Sequence, residues 1–218
     1  MTRVILLIPI LFLLSCQTLP VIRLTEEKPF VCPSPFLKEK SRLVHAIENR
    51  VRGNVQSSVL GITVADPATR SFSCAIVTAE GMSLFEADFS PAAVKIHRAL
   101  PPFESEDFAK NMMEDIKLIF LAPEGSLQSK GYLSDGSQAC RYLQTSGDVI
   151  DVTEHPSDGI QIKRYSSTGV LKKHVTFDKS GKNIYQHIEL QAYEFFDYSL
   201  LMNLIEAQPI KKQAQKKK

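Results

Sequence analysis

Ser105-Glu106-Asp107-Phe108-Ala109-Lys110-Asn111-Met112-Met113-Glu114-Asp115-Ile116-Lys117-Leu118-Ile119-Phe120 is the stretch on which the fold turns. Ser105 suits a helix cap, and the two carboxylates after it suit the positive end of a helix dipole. Phe108, Met112, Ile116 and Phe120 then recur every four residues, which predicts one helix with a broad apolar face. Such a face is either plain core or a soft plug in an apolar hollow; adaptable Met112 and Met113 would suit a plug.

On either side of this helix the apolar period changes to two. Upstream, residues 51–64, 70–78, 82–88 and 92–98 read as strands joined by short turns, an antiparallel meander that stops at Pro101-Pro102. Downstream of Pro123, alternation returns over 138–145, 149–154, 159–165, 170–177, 184–193 and 199–207. The expected fold is mainly β (α+β): a curved antiparallel sheet or incomplete β-barrel of about ten to eleven strands, with the helix inserted in its concave side. A shorter helix is also expected over residues 36–48, with Ser34 near its cap and Pro35 in its first turn.

One hairpin allows its register to be read. With a turn centred on Ser180-Gly181, Phe177 opposes Ile184, Val175 opposes Gln186 and Leu171 opposes Leu190, an apolar row. The other face then sets His174 opposite His187, a solvated pair with too few neighbouring ligands for a metal site.

The chain starts with Arg3 and an apolar run over residues 4–14, shorter than the roughly 20 residues a spanning helix needs. Leu13-Leu14-Ser15-Cys16 resembles the bacterial lipobox, in which the cysteine is acylated and becomes the first residue. Gln17, where an Asp would signal retention at the inner membrane, favours the outer membrane. The organisation read from the chain is a leader over 1–15, a lipidated Cys16 with a proline-rich tether over 16–35, a domain over 36–208 and a basic tail over 209–218. That tail carries five lysines.

Composition is that of an ordinary globular chain: 218 residues, 44% hydrophobic, 23% charged, net charge +2. Losing Arg3 with the leader leaves +1, so no global field argues for nucleic acid. Beyond Cys16 the cysteines are Cys32, Cys74 and Cys140. In an oxidising envelope two of them can pair, while Cys74 and Cys140 equally suit small buried strand positions. No spacing of Cys and His suggests zinc. Gly81-Met82-Ser83 lacks the second glycine of a nucleophile elbow, and His155 and Asp158 flank Pro156 in a turn. No catalytic residue, metal or cofactor is expected.

Three stretches are similar to an uncharacterised family of LolB-like bacterial lipoproteins within the LolA/LolB lipoprotein-carrier superfamily: Gly81-Met82-Ser83-Leu84-Phe85, Leu100-Pro101, and residues 112–123. The resemblance implies an incomplete barrel whose hollow receives acyl chains. With the apolar pattern, it nominates Phe108, Met112, Ile116, Phe120, Phe72 and Leu84 as the ligand-binding lining and Cys16 as the lipidation site. Two departures stand out. The turn that projects a leucine in LolB carries Glu80 here, which argues against insertion into lipid through that turn. Ala122 stands where the family usually has a tryptophan. The expected function is an outer-membrane-tethered, monomeric lipoprotein, not an enzyme, that binds or transfers a lipid, lipoprotein or other acylated amphiphile. A structural or accessory lipoprotein without a ligand is the alternative.

Overall fold

A computed structural model describes residues 19–25, 30–178, 185–194 and 197–211. Cys16 and the turn at 179–182 lie outside them. Among the described residues, thirteen strands form one antiparallel sheet. In chain order they are β1 (Arg23–Leu24), β2 (Ser41–Val51), β3 (Asn54–Asp66), β4 (Ser71–Val77), β5 (Ser83–Ser90) and β6 (Ala93–Ala99), then helix α1 (Glu106–Phe120). After α1 come β7 (Ser126–Tyr132), β8 (Gln138–Leu143), β9 (Val149–His155), β10 (Gly159–Tyr165), β11 (Leu171–Phe177), β12 (His187–Ala192) and β13 (Tyr198–Pro209). Their order across the sheet is β1-β7-β8-β9-β10-β11-β12-β13-β2-β3-β4-β5-β6. The chain therefore builds two meanders, joins them through the long β13–β2 ladder, and leaves β1 and β6 as the two ends. The sheet is curved and not closed into a barrel.

The helix forms as its sequence predicts. Ser105 Oγ accepts from Phe108 N at 3.1 Å, Glu106 and Asp107 occupy the first turn, and Lys117 lies in the last. It lies across the concave face and reaches both meanders. Phe108 meets Phe85 of β5, Phe120 meets His45 of β2, and Glu114 pairs with Arg164 of β10. Ala109, Met113, Ile116, Ile119 and Phe120 are buried against the sheet, each large apolar group contributing roughly 1.5–3 kcal/mol by leaving water. The four residues expected to share a face all pack on the core: Ile116 and Phe120 are buried, and Phe108 and Met112, nearer the N-terminal end of α1, are half-buried against it.

Residues 36–48 are not helical. Ser41, Leu43, His45 and Ile47 alternate inward along β2, with Leu43 fully buried. Leu, Ala, Glu and Arg favour helix locally, but pairing with both β13 and β3 decides the conformation. β7 lies outside the expected strands; Ser-Leu-Gln-Ser-Lys-Gly-Tyr is exposed over its first three residues and carries no apolar alternation.

The β11–β12 register also differs. Phe177 pairs with Ile188, Val175 with Leu190 and His174 with Gln191, four residues away from the expected pairing. The inward row survives because any even slip preserves it. His187 instead pairs across with Asn203, at 2.6 Å between Nδ1 and Oδ1, so the two histidines do not meet.

The described part of the expected free tether is bound to the sheet. Arg141 Nη2 donates to Pro20 O at 2.8 Å, Arg23 and Leu24 pair with Tyr132 and Gly131, and Cys32 is disulfide-bonded to Cys140. Proline blocks helix but permits extended chain, which can add to a free edge. Gly131 allows the approach, since a Cβ there would lie 1.9 Å from Arg23 O. From Cys32 the strap continues to Phe36 in the core and to Leu37, whose N–H donates to Phe120 O at 3.1 Å. Cys74 is a free, buried thiol.

Candidate functional site

The concave face has two kinds of ground. On the β5–β6 side it is apolar and partly open. Phe72 and Phe89 stack at 4.9 Å, and Phe103 and Phe108 meet at 5.0 Å. Val94 and Ile96 of β6, opposite Phe89 and Ala87, remain 49% and 44% exposed. Of the expected lining, Phe72, Ile116 and Phe120 are buried, and Phe108 and Met112 are half-buried against the core. Leu84 does not join them. It has the parity opposite to the buried Phe85 and Ala87 and so lies on the other face of β5, at the bulge between the Ile76–Phe85 and Val77–Ser83 pairs. Its carbonyl accepts from Leu100 N at 2.9 Å.

On the other side α1 is held by charge. Lys173 of β11 pairs with Asp115, both almost without solvent access, and Tyr198 O–H donates to Asp115 Oδ2 at 2.6 Å. Burial pushes the Asp115 carboxyl up, against the pull of Lys173 and of the Tyr198 hydrogen bond; burial and the neighbouring carboxylate push the Tyr198 phenol up. Beside this trio, Arg164 bridges Glu114 of the helix at 3.1 Å and Asp148 at 2.8 Å. Lys117 pairs with Glu114, and its ammonium lies 4.6 Å from the centroid of the Phe89 ring. Glu114, Lys117 and Arg164 border a cavity of about 210 Å³ at the end of α1, which Arg70, Glu124 and Gln144 also line. It is not the acyl-sized apolar hollow that the sequence led one to expect.

Lys173 and Asp115 escaped the sequence reading, although a signal existed. Lys173 shares the inward parity of Val175 and Phe177, and Asp115 adjoins Ile116 on the apolar side of α1. A charge in register with a buried row requires a partner.

His45, 1% exposed, lies behind Phe120, and its Nε2 has no hydrogen-bond partner among the described residues. Burial lowers its pKa from 6.5 to about 4. The folded state thus takes up the proton later than the unfolded chain. Stability is unaffected above pH 6.5 and falls between 6.5 and about 4, by roughly 1.4 kcal/mol per pH unit and about 3 kcal/mol in all. Urea titrations at pH 7 and pH 4.5 should show His45→Leu losing about 2–3 kcal/mol less than the parent over that interval; equal losses would refute the assignment.

The remaining chemistry-bearing residues form no relay. At the β9–β10 turn, Ser157 Oγ donates to Asp158 and lies 2.8 Å from Nδ1 of His155, the last residue of β9. The serine thus sits between the other two, whereas a nucleophile relay needs the imidazole in the middle. Among the described residues, no group of three or more His, Cys, Asp or Glu is placed to hold a metal ion. At the β4–β5 turn, Gly81 adopts φ +88°, and Glu80 is fully exposed at the tip.

No protein-family model matches this chain, and no curated protein matches it. Solved structures do. A LolA superfamily protein from Nitrosomonas europaea superposes with a TM-score of 0.50 at 10% identity, over 82% of this chain and 89% of that one. A domain from Vibrio parahaemolyticus described as an outer membrane lipoprotein-sorting protein gives a TM-score of 0.47 at 11% identity, over 81% and 88%. The fold is therefore LolA-like: mostly β, one helix, an open curved sheet.

Proposed function

We propose that this protein is an outer-membrane lipoprotein, tethered through acyl chains on Cys16, that binds an acylated amphiphile or lipoprotein on the concave face of its sheet. It acts as a binding or transfer protein in envelope biogenesis and carries out no chemistry on its cargo. The observation that carries this reading is the open apolar ground along β5–β6, where Phe108 of α1 meets Phe85 and Phe103, and where Val94 and Ile96 stand exposed opposite Phe89 and Ala87. An acyl chain gains ~0.8 kcal/mol per buried methylene on such ground. The exposed Glu80 makes the β4–β5 turn a poor wedge into lipid, so release of cargo would use another part of the molecule.

A fluorescent fatty acyl probe tests the reading. Protein lacking residues 1–16 should bind it, and Met112→Asp should weaken binding by at least about tenfold, or 1.4 kcal/mol, with an unchanged circular dichroism spectrum. A second reading, an accessory lipoprotein without a ligand, is favoured by the way α1 fills the hollow, with Met113 and Ile119 only 2% exposed. Absence of both probe binding and co-purifying lipid by mass spectrometry would decide for it. The tether is tested separately: Cys16→Ser should lose incorporation of labelled palmitate and leave the membrane fraction. Retention in the outer membrane without label would rule it out.

A further inference from the structure

The three most exposed large apolar side chains among the described residues are Val21, Leu24 and Val31, at 80%, 75% and 73%. All three belong to the strap along the β1 edge. Single apolar residues are scattered over any protein surface. Here, however, three gather within residues 21–31, at the edge next to Cys16 in sequence. Moreover, the backbone is already fixed at Pro20 by Arg141. Four residue steps separate that point from Cys16, and extended chain covers at most about 3.6 Å per step, or about 14 Å. An acylated Cys16 therefore cannot let the domain drift away; it holds this edge against the lipid.

We infer that the β1 edge is a membrane-contact surface, with Val21, Leu24 and Val31 seated in the interfacial layer of a bilayer. For its natural setting the inference rests on the tether proposed above. β1 gives its hydrogen bonds on one side to β7, and the outer side of a two-residue strand leaves few backbone groups unpaired. The hydrated interface tolerates these, which the hydrocarbon interior would not.

The sequence provides its own reporter, because it contains no tryptophan. Leu24→Trp places a single fluorophore at the edge, in a side chain suited to the interface. A chain beginning at Cys16 also offers one accessible thiol, since Cys32 and Cys140 are bonded and Cys74 is buried. Coupling Cys16 to a maleimide-bearing lipid in phosphatidylcholine vesicles recreates the tether whether or not a cell would acylate it. Failure here is thus distinct from failure of lipidation, which the mass of the full chain purified from cells reports. Tethered Leu24→Trp should emit at shorter wavelength and be quenched by bromine-labelled acyl chains. Val170→Trp, at a position 51% exposed on the β10–β11 turn, should show neither. Adding Val21→Asp to the Leu24→Trp chain should reverse most of the shift. Identical emission free and tethered would overturn the inference. So would a shift without bromine quenching that grows with protein density, since that marks pairing between copies of this chain.

Discussion

Lys173→Met will destabilise the protein by roughly 3–5 kcal/mol, because it strands the Asp115 carboxylate beneath α1. Asp115 is 4% exposed, and after the change only the Tyr198 hydroxyl would face it. Removing both charges should be far milder: Lys173→Met with Asp115→Leu replaces a buried pair by apolar side chains, which is often neutral or better. The contrast between the single and double variants is the measurement, made by urea denaturation at neutral pH. A single variant within about 1 kcal/mol of the parent would mean that the trio is not buried as described. The expected damage is local as well as global. Asp115 joins the helix to β11 and β13, so its loss should first loosen α1 from those two strands.

The second large effect belongs to the disulfide. Cys32 and Cys140 are 108 residues apart in sequence. Closing a loop of that order is worth roughly 4–5 kcal/mol in the chain-entropy model, and removing native disulfides typically costs about 2–5. Cys32→Ser should therefore lower the urea-derived stability by about 2–5 kcal/mol. Dithiothreitol should destabilise the parent by the same amount and leave the variant unaffected. Without the bond the segment between β1 and Phe36 loses its covalent hold on β8, so proteolysis between residues 25 and 35 should become faster in the variant. Unchanged stability on reduction would show the bond to be incidental.

Much of the architecture was legible because the apolar period changes sharply at α1. Four of the five strands before it other than β1, the helix with its Ser105 cap, and six of the seven strands after it can be found from alternation and turn residues alone. What failed did so where long-range pairing decides. Leu43, Val44 and Ile47 suit a helix or a strand equally well, and only the ladders of β13 and β3 on either side of β2 choose. β7 has little apolar pattern to read, since it lies next to the β1 end of the sheet. In the β11–β12 hairpin, alternation fixed which side chains point inward but could not separate slips of two or four residues. Of the residues nominated as a lining, Phe72, Ile116 and Phe120 are buried and Phe108 and Met112 are half-buried against the core, while Leu84 has the parity opposite to Phe85, which the alternation of β5 already contains. The disulfide could not be read from three scattered cysteines, because it depends on the strap crossing to β8.

Cys74 remains, the free thiol among the described residues of a protein that holds a disulfide. Burial pushes its pKa up to about 12. At pH 7 only about one molecule in 10⁵ would carry the thiolate there, and exchange proceeds through the thiolate. Once β4 and β5 have closed over it, Cys74 is too weak a nucleophile to attack the Cys32–Cys140 bond and reshuffle it. Before they close, it has an ordinary thiol's reactivity, and either partner could be captured wrongly. The order of events during oxidation therefore matters: pairing is protected if the β3–β5 meander folds before Cys32 reaches β8, and the chain is open to mispairing if it does not.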